Sequence, residues 1–168
     1  MKLGPSTVKS TAIIRFQDCD PFGHLNNARY IDYFINARTD QIAANYDFHL
    51  IQYGSQPTES WVVSKTQIAY LAPAALMEVV SIQTRLIDVN ENQLLVEGNM
   101  MDQAERKVKA ICWMEFTYIS LKTGRPAEHP DDMTRFFEGI RFSEPIDISS
   151  FENRLAEMKA ARVKTPTV

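Results

Sequence analysis

The chain reads as an α+β fold, a five-stranded antiparallel sheet wrapped around one long helix and followed by a C-terminal helical extension. Three observations predict it. A long amphipathic helical pattern, Asn26 to about Tyr46, follows a single β-type segment. Four β-type segments then come in succession, with short turns between the later ones that favour antiparallel pairing. A sheet wrapped around its one long helix is the economical way to bury both apolar faces. At 168 residues the chain is expected to be one domain, 1–168, with a core over about 10–120 and an extension over about 121–168.

Taken in order, Met1 to Lys9 is a polar lead-in with Gly4 and Pro5, expected to be loose. Ser10 to Gln17 contains the β-type run TAIIRF and reads as the first strand. A turn from Asp18 to Leu25 carries Pro21 and Gly23. In the helix that follows, Tyr30, Ile31, Phe34, Ile35 and Ile42 form one broad apolar face, and Asp32, Arg38, Thr39 and Gln41 occupy much of the rest. Asp47 to Ser60 reads as a loop with Gly54 and Pro57.

Trp61 to Tyr70 is rich in strand formers, and Leu71-Ala72-Pro73-Ala74-Ala75 breaks it. Glu78 to Asp88 alternates, with Val80, Ile82, Thr84 and Leu86 on one side. Asn90-Glu91-Asn92 makes a turn into Gln93 to Met101, and Asp102 to Arg106 makes a turn into the long strand Lys107 to Ser120. Beyond it, Gly124, Pro126 and Pro130 take the chain off the sheet. Asp131 to Gly139 reads as a short helix, and Phe151 to Val163 as a C-terminal helix capped by Ser149 or Ser150. The last residues, Lys164 to Val168, are expected to fray.

Composition narrows the function. The formal charge of −3 leaves no basic surplus for neutralising phosphates, which argues against a nucleic-acid partner. No apolar run approaches the ~20 residues that a membrane span needs, and MKLGPSTVKS lacks the apolar core of a signal peptide. No membrane partner and a cytoplasmic location are therefore expected. Two cysteines, Cys19 and Cys112, are too few for a disulfide framework or a zinc site.

The chain's chemistry concentrates in Asp18 to Phe34, DCDPFGHLNNARYIDYF. Asp18 and Asp20 are carboxylates, His24 can move protons near neutral pH, and Asn26 and Asn27 suit a helix start. A carboxylate beside a helix start has backbone N–H donors within reach, and such donors stabilise developing negative charge. That combination suits hydrolysis of an acyl compound. Cys19 with His24 as base is a rival nucleophile, although a strand-end side chain points opposite to its neighbours.

This segment resembles the active-site stretch of hot-dog-fold acyl-CoA thioesterases of the 4-hydroxybenzoyl-CoA thioesterase type, with an Asp-x-Asp-x-x-Gly pattern followed by a helix. GHLNNARY is closer still to the fatty acyl-CoA branch and to plant acyl-carrier-protein thioesterases. The looser likeness of strand order extends to about Ser120. The resemblance implies a hot-dog fold, assembly as a homodimer or homotetramer, and hydrolysis of a fatty or aromatic acyl-CoA to the free acid and coenzyme A. It implies no cofactor or metal, coenzyme A being part of the substrate.

Carried over residue by residue, the resemblance makes Asp20 the nucleophile or general base. Asp18 is left as a structural group bonding turn amides. It makes the backbone N–H of Asn27 the oxyanion donor and His24 an assisting group. The plant enzymes have Asn where this chain has Phe22, so their Asp-Asn-His arrangement is incomplete here. Gly23, Asn26 and Tyr30 are expected at the substrate. Ser64 and Lys65 are candidates on a facing wall supplied by the partner chain. No phosphate-cradling Gly-rich loop is present, so Arg85, Lys107, Lys109 and Arg125 are the scattered basic candidates for the phosphates of coenzyme A. The alternative is a non-catalytic hot-dog module binding acyl-CoA or acyl-carrier protein, which would need the pocket but not Asp20. A hot-dog dehydratase is a further rival, and its pattern is not found.

Overall fold

The computed structural model describes residues 1–48 and 58–163. Most of the expected loop from Asp47 to Ser60, including Gly54 and Pro57, lies outside the described residues, as does the tail expected to fray. The elements are β1 (Thr7–Ile13), α1 (Tyr30–Tyr46), β2 (Glu59–Tyr70), β3 (Val79–Val89), β4 (Gln93–Asp102), β5 (Val108–Ser120), α2 (Asp131–Ile140) and α3 (Phe151–Val163). The five strands form one antiparallel sheet in the order β1-β3-β4-β5-β2. This is the expected architecture, with α1 held against one face.

β1 starts and ends earlier than the expected Ser10–Gln17. It pairs with β3 from Thr7↔Arg85 to Ile13↔Val79. The chain then tightens into a 3-10 turn at Phe16–Asp18, where the Asp18 N–H reaches the Arg15 carbonyl at 3.1 Å. The lead-in is tied down rather than loose. The Lys2 N–H donates to the Tyr46 carbonyl at 2.8 Å, and the Tyr46 hydroxyl donates to the Pro5 carbonyl at 2.6 Å.

The helix also differs from expectation at its start and on its face. Asn26 caps a 3-10 turn, Asn27–Arg29, by accepting the Ala28 N–H at 3.0 Å, and α-helical geometry begins at Tyr30. The buried face is Tyr30, Phe34, Ala37, Arg38, Gln41, Ile42 and Tyr46, while Ile35 is exposed. Arg38 and Gln41 are drawn inward by polar partners on the sheet. Gln41 Nε2 donates to Ser10 Oγ and to the Ile82 carbonyl, both at 2.9 Å, and Gln41 Oε1 accepts the Thr84 hydroxyl at 2.6 Å. Helix and sheet touch most closely at Gly98, where a Cβ would lie 2.7 Å from the Phe34 ring. Only glycine permits that approach.

The alternation expected of β3 is present, with Val80, Ile82, Thr84 and Leu86 all buried toward α1. Ile87, Ile111, Trp113 and Leu95 pack on the other face under Phe142, Phe151, Leu155 and Met158 of the extension. The extension therefore covers both faces, since Met133, Phe136, Phe137 and Ile140 of α2 join the core around α1. α3 spans the expected residues, and Ser150 Oγ accepts the Asn153 N–H at 3.0 Å.

Candidate active site

The turn from Asp18 to Leu25 is held by its own backbone and by the segment after β2. The Asp20 N–H donates to the His24 carbonyl at 2.8 Å, and the Asn26 N–H to the Asp18 carbonyl at 2.9 Å. Across the gap, the Leu25 N–H donates to the Ala74 carbonyl at 2.8 Å and the Leu76 N–H to the Gly23 carbonyl at 2.9 Å. Gly23 has φ +76°, with open space where a Cβ would stand. Its requirement is the left-handed backbone conformation of the turn.

Asp20 sits half-buried in this frame. Its Oδ1 accepts the N–H of Phe22 at 2.9 Å and the N–H of His24 at 3.2 Å. One carboxylate oxygen is thereby fixed by the turn, and Oδ2 has no hydrogen bond among the described residues. Asp18, expected to bond turn amides, accepts the Tyr33 hydroxyl at 2.9 Å instead and lies 3.9 Å from the Arg29 guanidinium. The turn amides go to Asp20 because they follow it in sequence and curl back over its side chain.

Asp20, His24, Leu25, Asn27 and Tyr30 line a pocket of about 330 Å³ together with Tyr70, Leu71, Ala72 and Pro73. The Asn27 N–H stands at the first position of the 3-10 turn, with no acceptor among the described residues. Its carbonyl accepts the Tyr70 hydroxyl at 2.8 Å. Tyr30 and Tyr70 pack edge to face with ring centroids 5.0 Å apart, and the Tyr30 hydroxyl accepts the Ala74 N–H at 3.3 Å. The pocket offers a carboxylate, an imidazole and an unpaired backbone donor at a helical turn, the groups required to attack a carbonyl and hold its oxygen.

Other candidates lie elsewhere. Ser64 and Lys65 stand where β2 slips its register against β5; Ser64 Oγ donates to the Glu115 carbonyl at 3.2 Å and Lys65 pairs with Glu115 at 3.1 Å. Within one chain they do not reach the Asp20 pocket. The Cys19 thiol donates to the Arg15 carbonyl at 3.3 Å. Partial burial, then the carboxylates of Asp20 and Asp18, push that thiol up, away from the nucleophilic thiolate.

Two of the basic residues considered for coenzyme A are committed inside the fold. Arg85 pairs with the buried Glu97 and lies 4.1 Å from the Phe142 ring centre. Lys109 is only 7% exposed, pairs with Glu78 at 2.7 Å and donates to the Pro73 carbonyl at 2.9 Å.

The pocket also uses residues that sequence reasoning missed. Tyr70 and the Leu71–Pro73 segment form its second wall. The wall is braced from behind by Lys109 and by Glu78, whose Oε2 accepts the Ala75 N–H at 2.8 Å. The abrupt Tyr-Leu-Ala-Pro break after β2 was the available signal. Among the described residues no group of three or more His, Cys, Asp or Glu is placed to hold a metal ion. No helix among them is long and apolar enough to cross a membrane.

Comparison with known proteins places the fold and the family. A family model for the thioesterase-like superfamily matches residues 14–137. The long-chain acyl-CoA thioesterase FadM of Escherichia coli strain K12 is 28% identical over 110 residues, covering 66% of this chain and 81% of that protein. A 1,4-dihydroxy-2-naphthoyl-CoA thioesterase from Synechocystis superposes with a TM-score of 0.71 at 12% identity, covering 78% of this chain and 95% of the other. A DHNA-CoA thioesterase from Staphylococcus aureus superposes with a TM-score of 0.67 at 15% identity, covering 96% of this chain and 97% of the other. With a hot-dog sheet wrapped around α1 and a match across most of its length, the chain belongs to the thioesterase-like superfamily.

Proposed function

We propose that this protein hydrolyses acyl-CoA thioesters to a free acid and coenzyme A, with Asp20 as nucleophile or general base. The reading is supported by one pocket lined by Asp20, His24 and Asn27, whose N–H begins a 3-10 turn with no acceptor among the described residues. The thioester carbonyl lies with its oxygen toward the Asn27 N–H, where negative charge develops as the carbon becomes tetrahedral. Asp20 Oδ2 either attacks that carbon or takes a proton from an attacking water; the turn amides on Oδ1 hold the carboxylate in place. The C–S bond then breaks and the thiolate leaves and takes up a proton; after direct attack by Asp20, water hydrolyses the acyl-Asp20 anhydride to release the free acid and restore the carboxylate, and His24 assists by orienting water or the carbonyl. Thioesters are activated acyl groups, so this set suffices without a resident cofactor. Acyl-CoA as the substrate class is supported by the superfamily match and by the activities named for the similar proteins. A homodimer completes the site, the partner's Ser64 and Lys65 facing the pocket.

Asp20→Asn keeps the size and the turn hydrogen bonds while removing charge and basicity. With a panel of short- to long-chain acyl-CoAs and free-thiol detection, the variant is expected to lose at least ~100-fold in kcat, as when a base or nucleophile is removed, and still to bind substrate. Hydrolysis by Asp20→Asn at the wild-type rate would remove Asp20 from the site. Tight binding with no cleavage by the wild type would make the protein a binding module.

A further inference from the structure

The segment between β2 and β3, residues 71–78, has no helix or strand of its own, yet it is fastened along its length. One attachment is the buried Lys109, near the start of β5. The Leu71 and Ala72 N–H groups donate to the Lys109 carbonyl at 2.7 and 3.1 Å, and Lys109 Nζ donates to the Pro73 carbonyl at 2.9 Å. The same ammonium pairs with Glu78 at 2.7 Å, and Glu78 Oε2 accepts the Ala75 N–H at 2.8 Å. One ion pair thus links the middle of the segment to its end.

The other attachment is the turn that carries Asp20. The Leu25 N–H meets the Ala74 carbonyl at 2.8 Å and the Leu76 N–H meets the Gly23 carbonyl at 2.9 Å, so the two bonds flank His24. His24 is tied to Asp20 in both directions, through the Asp20 N–H on its carbonyl and its own N–H on Asp20 Oδ1. A continuous string of hydrogen bonds therefore runs from Lys109 to Asp20. Between Leu76 and Glu78, Met77 is held at φ +63°, a left-handed conformation uncommon for a residue with a side chain. Such a conformation persists where its surroundings over-determine it, and here Leu76 is fixed on Gly23 and Glu78 on Lys109.

We propose that Glu78 and Lys109 are positioning residues for thioester hydrolysis: the pair sets the 71–78 segment, and the segment sets where Asp20 and His24 stand. The kinetic part rests on the hydrolysis reading. Neither residue lines the Asp20 pocket, so the pair acts through the backbone and not on the substrate. A buried ion pair adds little stability over an apolar pair of similar size, because desolvation offsets the attraction. What the two charges supply is one fixed arrangement of the segment. Misplacing a reacting group by about 1 Å costs on the order of 100-fold in rate, so a small shift of the segment is enough to matter.

The test combines steady-state kinetics with amide hydrogen exchange of the whole protein. Lys109→Met with Glu78→Gln removes both charges together and leaves the Ala75 N–H an acceptor, while Pro73 loses its anchor. The double variant is expected to fall ~10–100-fold in kcat with KM little changed. Exchange should be at least ~10-fold faster at the Leu25 and Leu76 amides and unchanged at Val96 and Met114, within the sheet. Glu78→Asp keeps a counter-charge for Lys109 but is one methylene short of the Ala75 N–H. It should show the same pattern in smaller measure, even if the double variant folds poorly. A retained kcat, or an effect confined to KM, overturns the proposal. So does a lost kcat with Leu25 and Leu76 as protected as in the wild type, or exchange that quickens throughout the sheet, which would make the pair a support of the whole fold. A wild type that cleaves no acyl-CoA sinks the hydrolysis reading, whereas unchanged exchange at Leu25 and Leu76 sinks the brace, so the two failures are told apart.

Discussion

Tyr70 shows how a single side chain away from the reacting atoms can set the site. Its hydroxyl holds the Asn27 carbonyl at 2.8 Å, at the turn whose N–H is the proposed oxyanion donor, while its ring braces Tyr30. Tyr70→Phe removes only the hydroxyl. We expect the fold to survive with a loss of ~1 kcal/mol, the usual worth of one hydrogen bond. In steady-state kinetics kcat should fall about 10-fold with KM little changed, because a displaced donor weakens transition-state binding more than ground-state binding. A fall confined to KM would make Tyr70 a wall of the pocket and nothing more. That Asp20, His24 and Asn27 gather at one pocket was legible because turn chemistry is local and they lie within one short stretch; Gly23 and Asn26, expected at the substrate, shape the turn without lining that pocket. Tyr70 was not, since it stands 43 residues from Asn27 and only the sheet brings it back. Lys109 failed for the same reason: it reads as a surface cation until Glu78 and Pro73 are folded against it.

Among the elements, β3 was readable because its inner face alternates strictly, and the order of elements followed from periodicity alone. β4 and the outer face were harder. There both sides are buried, and the reason is α3, far along the chain. Its anchor is Arg154, whose guanidinium Nε donates to Glu97 Oε2 at 2.8 Å; the Trp113 indole adds a bond to the same oxygen at 3.0 Å. Burial alone would raise the Glu97 pKa, but Arg154, Arg85 and Trp113 outweigh it and hold the carboxyl at about 2, below its ordinary 4.5. A carboxylate depressed on folding contributes stability that is fully present above the unfolded value and is lost as pH falls toward the folded one. The window is therefore from about 4.5 down to about 2, and its size is on the order of 3 kcal/mol. Glu97→Gln removes the carboxylate that Arg154 and the partly buried Arg85 share, leaving Arg154 only the half-exposed Glu157, and urea unfolding at pH 7 should show a loss of ~3 kcal/mol. The variant should also lack this share of the acid sensitivity. A wild-type-like urea midpoint would mean that α3 is held by Phe151 and its apolar neighbours, with the ion pairs adding nothing.

For the whole molecule, the question is which surfaces remain for a partner. The outer face of the sheet is covered by α3 and the segment before it, and the inner face by α1 and α2. The sheet's two edges, β1 and β2, are left. β2 presents Val62 and Val63, each about two-fifths exposed, on a strand whose end forms a wall of the Asp20 pocket. An uncovered edge with exposed valines invites strand pairing, and a second copy meeting it across a two-fold axis pairs β2 with β2, leaving β1 as the outer edge of each copy. Pairing there brings the partner's Ser64 and Lys65 toward the pocket that they do not reach within their own chain. It also leaves no bare sheet face for a further layer, so assembly should stop at two. Light scattering is expected to give about 38 kDa, twice the 19.2 kDa chain. Val62→Glu with Val63→Glu places like charges opposite one another at the two-fold and should yield monomers that retain Asp20 yet lose most activity. An active wild-type monomer would show that one chain holds the entire site, and a tetramer would mean that α3 leaves more of the outer face usable than its packing indicates.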